Sequence, residues 1–101
     1  MASKVIVTRE ARRDLVSIVG YLVDDLDARQ AASVFMDAFA AVASRIKEYP
    51  GLYPLCPDES LARRGIRKAL AGGYVVLYKN AENASYVMRA FHQSQDCARI
   101  V

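Results

Sequence analysis

The sequence predicts an α+β fold: an N-terminal strand, a two-helix hairpin, then a three-stranded antiparallel meander, with the helices packed on one face of the sheet. Three observations carry that expectation. A short β-branched run opens the chain. Two consecutive stretches with apolar residues at three- and four-residue spacing follow it. The last third holds β-rich runs separated by short polar or glycine turns. Helices segregated to one face leave the opposite face partly open, as a place for a partner or substrate.

The elements follow in order. Residues 4–8, KVIVT, read as a strand. Thr8 can cap the next segment, and Glu10 favours its first turn. Ala11, Leu15, Ile18, Val19 and Leu22 then form one apolar stripe, predicting a helix from about Arg9 to Val23. After the acidic connector Asp24-Asp25-Leu26-Asp27, Asp27 and Gln30 have the spacing of a capping box. Ala28, Ala31, Phe35, Phe39, Val42, Ile46 and Tyr49 keep the helical period until Pro50-Gly51 stops it. The alanines along this second helix allow close approach to a neighbour, and the two helices read as an αα-hairpin.

Residues 50–64 contain all three prolines and no clean period, so an irregular, mostly ordered loop is expected. Ile66 to Leu70, Tyr74 to Tyr78 and Ser85 to His92 read as strands, joined at Gly72-Gly73 and by a polar turn from Asn80 to Ala84. The tail from Gln93 to Val101 reads as a short helical turn or strand.

Length and composition narrow the function. The 101 residues are 53% apolar and 25% charged, with 14 Lys plus Arg against 11 Asp plus Glu. That describes one globular domain, 1–101, too short for a two-domain enzyme. No apolar run is long enough to span a membrane. The opening Met1-Ala2-Ser3-Lys4 lacks the apolar stretch of a signal peptide, so a cytoplasmic location is expected. Cys56 and Cys97 lack CxxC spacing and read as free thiols in a reducing compartment. With a single His and two scattered Cys, neither a metal site nor a cofactor is expected.

Charge is segregated. Residues 1–59 have 7 basic and 9 acidic side chains, whereas residues 60–101 have 7 basic and 2 acidic ones. The sheet half is therefore the basic half, able to attract phosphates at long range. Arg63, Arg64, Arg67 and Lys68 form its densest cluster, with Lys79 nearby in the sequence. Such a group suits bidentate phosphate binding, or equally a solvated surface that protects an edge strand.

Arg89 stands within the apolar run Tyr86-Val-Met-Arg-Ala-Phe-His92 and needs an acceptor or solvent. Either it has a functional role or it pairs with an acid such as Asp96. His92, the sole histidine, lies at a strand end and suits proton transfer, although such a residue is also an ordinary surface or capping group. RNA cleavage by the 2′-hydroxyl needs a base, an acid and positive charge against the phosphorane; His92, Arg89, Arg67 and Tyr78 could supply these. Tyr74, Tyr78 and Tyr86 could stack on bases or fill the core. Phosphate-binding loops, dinucleotide turns and nucleophile triads are absent. The long, alanine-rich second helix, with few charges, is a poor DNA recognition helix.

Taken together, these segments resemble the RelE/ParE superfamily of small bacterial toxins from type II toxin–antitoxin pairs. The likeness runs through Val5-Ile-Val-Thr8, Ala11 with Asp14-Leu15, Ile18 to Leu22 and Ile46-Lys-Glu-Tyr-Pro50. It continues in Gly65-Ile-Arg67, Tyr74 to Tyr78, and Val87-Met-Arg89-Ala-Phe-His92-Gln-Ser-Gln-Asp96. It implies a cognate antitoxin that wraps the toxin, and contact with operator DNA only indirectly, through that antitoxin.

RelE-like members cut mRNA on the ribosome without a metal, and ParE-like members inhibit DNA gyrase. On the nuclease reading the resemblance assigns Arg67, Arg89, His92 and Tyr78 to catalysis, and Arg63, Arg64, Lys68 and Lys79 to RNA phosphates. The expectation is an mRNA interferase acting with the ribosome. The alternatives are a gyrase inhibitor without nuclease activity, and a non-toxic protein that only binds its antitoxin.

Overall fold

The computed structural model describes residues 4–100; the Met1-Ala2-Ser3 opening and Val101, at the two ends of the expected domain, lie outside the described residues. The first strand, β1 (Lys4–Val7), leads into Thr8, whose extended backbone and side-chain hydroxyl start α1 (Arg9–Gly20). That hydroxyl accepts from the Ala11 amide at 3.2 Å, as an N-cap should, and donates to the Met88 carbonyl at 3.2 Å. One side chain thus caps the helix and fastens its start to the last strand.

α1 continues into a π-helical turn, Tyr21–Asp25, closed by the Leu26 amide on the Tyr21 carbonyl at 3.1 Å. Asp27 then takes a left-handed φ of 49°, and the Ala28 amide bonds the Leu22 carbonyl at 2.7 Å. This corrects the expected capping box. α2 (Arg29–Glu48) starts at Ala28 without a side-chain cap, because Asp27 forms the left-handed joint that Asp tolerates better than most residues.

The buried positions of α2, Ala32, Phe35, Phe39, Val42 and Ile46, hold the expected helical spacing. The loop after Pro50 is ordered, as expected, and holds a short helix that was not expected. Leu55 bridges to Arg67, and Asp58 caps a short helix, α3 (Glu59–Arg63), by accepting from the Leu61 amide at 3.0 Å. Its single turn is too short to leave a readable period.

Three strands then form the meander: β2 (Ile66–Ala71), β3 (Tyr74–Asn80) and β4 (Ala84–His92). At the β2–β3 hairpin Gly72 has φ 63°, the positive value that a tight two-residue turn requires. The sheet order is β1-β4-β3-β2, with β1 parallel to β4 and the other pairs antiparallel. The register shifts where Leu77 faces Arg89 and Tyr78 faces Val87, so Met88 is an inserted bulge residue that re-aims the side chains after it. A last helix, α4 (Cys97–Ile100), ends the described chain. No helix of the described residues is long and apolar enough to cross a membrane.

The helical hairpin packs on one face of the sheet, where Phe39, Val42 and Ile46 meet Ala69, Val76, Tyr78 and Val87. The opposite face is not left open at its centre. Ile66, Val75, Leu77 and Phe91 are covered there by Cys56, by Leu61 of α3 and by Cys97 and Ile100 of α4. Apolar residues at the alternate strand positions demanded that second cover.

Both cysteines are free thiols in this second cluster. Burial pushes the Cys56 thiol above its ordinary value, and Cys97 beside it adds to the rise. The folded chain therefore holds a proton on Cys56 that the unfolded chain releases earlier. The stability gained is complete below the ordinary thiol pKa and is lost as pH rises through the folded-state value. We expect a thiol reagent at mildly alkaline pH to modify half-buried Cys97 first and Cys56 only after denaturant is added, as read by mass spectrometry. Equal rates in the folded protein would contradict this packing.

Candidate functional site

A cleft of about 620 Å³ lies between α1, the π-turn, the ends of β3 and β4, and the C-terminal segment. Asp14, Tyr74, Arg89, His92 and Gln95 supply its polar and aromatic wall, and Ile18, Leu22 and Ile100 its apolar part. Two of the four residues expected to be catalytic, Arg89 and His92, therefore share one surface.

Arg89 is not free to clamp a phosphate. Its Nε donates to Asp14 Oδ2 at 2.7 Å, its Nη2 to Asp14 Oδ1 at 3.1 Å, and its Nη1 to the Ile100 carbonyl at 2.8 Å. The fork geometry matches a carboxylate, and the hydrogen bonds from Arg89 to Asp14 raise its pKa further against the opposing effect of burial. The partner is thus Asp14, not Asp96, the acid nearer in sequence.

His92 is exposed. Its Nδ1 accepts the Ser94 amide at 3.1 Å and lies 2.8 Å from the Ser94 hydroxyl, while its ring meets the edge of Tyr74 with centroids 5.4 Å apart. Accepting the amide at Nδ1 assigns the ring proton to Nε2. These contacts fix the ring.

Arg67 and Tyr78 turn to a different place. They face each other across β2 and β3 and reach the loop that follows α2. Arg67 Nη1 donates to the Tyr53 carbonyl at 2.6 Å. Tyr78 is fully buried, and its hydroxyl donates to the Pro50 carbonyl at 2.8 Å. Burial also pushes that hydroxyl's pKa up, away from use as a base. In this fold the Tyr78 side chain is a core group and is not presented at the surface. Tyr74 is half-buried, packed on Phe35 with centroids 4.7 Å apart while it lines the cleft. Tyr86 is the one of the three candidate stacking tyrosines that is exposed.

The remaining basic residues are dispersed. Arg63 pairs with Glu59 at 2.5 Å on an exposed turn of α3, a pair of little energetic weight. Arg64 and Lys79 are exposed at the α3–β2 junction, with the Lys79 chain beside Gly65, and neither is in an ion pair among the described residues. Lys68 is half-buried on β2 and acts electrostatically on Cys56. Among the described residues no group of three or more His, Cys, Asp or Glu could hold a metal ion.

A family model described as "ParE toxin of type II toxin-antitoxin system, parDE" matches residues 5–97. The chain belongs to the ParE toxin family. It is accordingly the toxin half of a type II pair, with an antitoxin as partner. No curated protein matches it in sequence. A solved structure titled "Chromosomal ParDE TA system from P. aeruginosa" matches with a TM-score of 0.72, 15% identity, 90% of this chain covered and 96% of that one. The ParE match corrects the expectation of an mRNA interferase, and the dispersal of Arg67, Tyr78, Arg89 and His92 over two regions agrees with that correction.

Asp14 is the residue whose role the sequence reading missed. It borders the apolar stripe of Ala11, Leu15 and Ile18, and an acid so close to an apolar face calls for a cation. Asn80 was missed as well: its Nδ2 donates to the Pro50 carbonyl at 2.8 Å, and its Oδ1 accepts from the Ser85 hydroxyl at 2.7 Å.

A structural role for Tyr78 has a direct test. Tyr78→Phe removes one donor from the Pro50 carbonyl while Asn80 still satisfies it, so urea unfolding should show a loss of about 1 kcal/mol with the fold retained. Loss of toxicity at unchanged stability would contradict that role.

Proposed function

We propose that this ParE-family toxin acts by binding a protein target, DNA gyrase, rather than by cutting RNA. The observation that carries the reading is the engagement of Arg89: Asp14 neutralises its guanidinium and, with the Ile100 carbonyl, takes three of its five N–H donors, so it serves the fold rather than a phosphate beside His92. Chemical RNA cleavage requires positive charge free to meet the developing phosphorane. A binding toxin needs only a rigid, well-shaped surface. The cleft at the end of β4, with exposed His92 and Gln95 at its rim, supplies one. Family resemblance supports gyrase as the target. The cognate antitoxin neutralises the toxin by covering it and links it to operator DNA indirectly.

The test compares two reactions with folded, antitoxin-free protein. Supercoiling by purified gyrase should fall with added toxin and recover when the cognate antitoxin is added. Primer extension on translated mRNA should show no new 5′ ends. Unaffected supercoiling together with intact antitoxin binding would overturn the gyrase reading in favour of a non-toxic antitoxin-binding protein.

A further inference from the structure

Most of the exposed charge along α1 opposes its own dipole, with Glu10 in the first turn the exception. Arg9, Arg12 and Arg13 occupy its first turns, where the helix end is positive, and Asp24 and Asp25 lie in the π-turn at its negative end. All five are exposed, and none is in an ion pair among the described residues. Placement that opposes a helix dipole without a local partner is a conflict expected at functional surfaces.

Between those ends the helix is apolar and uncovered. Val16 is 69% exposed, and Met36 of α2 is 44% exposed beside it. Val16, Gly20 and Asp24, with Met36, line a groove of about 490 Å³, which adjoins a depression walled by Arg9, Arg12 and Arg13. At Gly20 an added Cβ would come within 4 Å only of the Asp24 carboxylate, at 4.0 Å, so the groove floor is open to close approach.

We propose that two copies of this chain pair through α1, antiparallel, about a two-fold axis that crosses the helix midway between Val16 and Gly20. Arg12, Val16, Gly20 and Asp24 follow one another at four-residue spacing and form a single ridge of the kind that packs helix on helix. Reversing the ridge sets Arg12 against Asp24 of the second copy at both ends and seats Val16 over Gly20. The surface is therefore complementary to itself, as an isologous interface must be. It also aligns the two helix dipoles antiparallel and relieves both misplaced charge clusters. A partner of one charge sign would satisfy only one end of the strip. This inference is independent of which target the toxin inhibits.

The test measures the mass of the full, antitoxin-free chain by sedimentation over a wide concentration range. A concentration-dependent dimer is expected. Arg12→Glu and Asp24→Arg should each weaken it about tenfold or more, and the double variant should restore it. An equimolar mixture of the two single variants should form the mixed dimer that neither forms alone. Both positions are exposed, so circular dichroism should show all variants folded. A monomer at every concentration would overturn the proposal, as would a dimer indifferent to the reversals or a double variant no better than the singles. So would a monomer whose Val16→Lys variant loses only antitoxin binding, which would give this face to the antitoxin.

Discussion

The Asp14 carboxylate is the contact on which the rest of this structure depends. It accepts from Arg89 Nε at 2.7 Å, from Arg89 Nη2 at 3.1 Å and from the Ala90 amide at 3.0 Å, while Arg89 Nη1 holds the Ile100 carbonyl at 2.8 Å. One acid on α1 thereby fixes β4, and one arginine on β4 fixes α4. The Asp14 side chain is 16% exposed and that of Arg89 31%, so each charge is largely withdrawn from water and would be costly without the other. The bulge at Met88 belongs to the same arrangement, because the shift in register sets how Arg89 and Ala90 meet α1.

This contact also shapes what the molecule can do. With Arg89 paired to Asp14 on α1, the cleft beside it is walled by an ion pair, and His92 and Gln95 stand exposed at its rim. Arg67 makes the matching choice at the other end of the sheet, holding the Tyr53 carbonyl while Tyr78 and Asn80 hold that of Pro50. Strand arginines that look like phosphate ligands in the sequence thus turn out to secure loops and helix ends. In a chain of 101 residues with one modest core, such ties supply order that additional apolar burial cannot.

Much of the fold was legible in local pattern. The stripes on α1 and α2, the Thr8 cap, the Gly72-Gly73 hairpin and the strand runs all express periodicity or turn chemistry within a few residues. What escaped was long-range or conformational. The pairing of β1 with β4 joins the two ends of the chain, and Arg89 finds its acid 75 residues away, distances at which spacing says nothing. The Asp27–Gln30 spacing suggested a cap, but the left-handed backbone at Asp27 put that residue to another use. The candidate catalytic set was a list of suitable residue types. Whether Arg67, Tyr78, Arg89 and His92 converge depends on which face and end of the sheet each occupies.

The central claim is that Arg89 and Asp14 act as one structural unit. A double-mutant cycle on equilibrium unfolding tests it most directly, with Asp14→Ala, Arg89→Ala and the double variant in urea. We predict a coupling of about 1–3 kcal/mol, each single variant costing nearly as much as both together. Additive effects, or an Arg89→Ala variant of unchanged stability that has lost toxicity, would contradict the account and make the arginine part of the toxic surface itself.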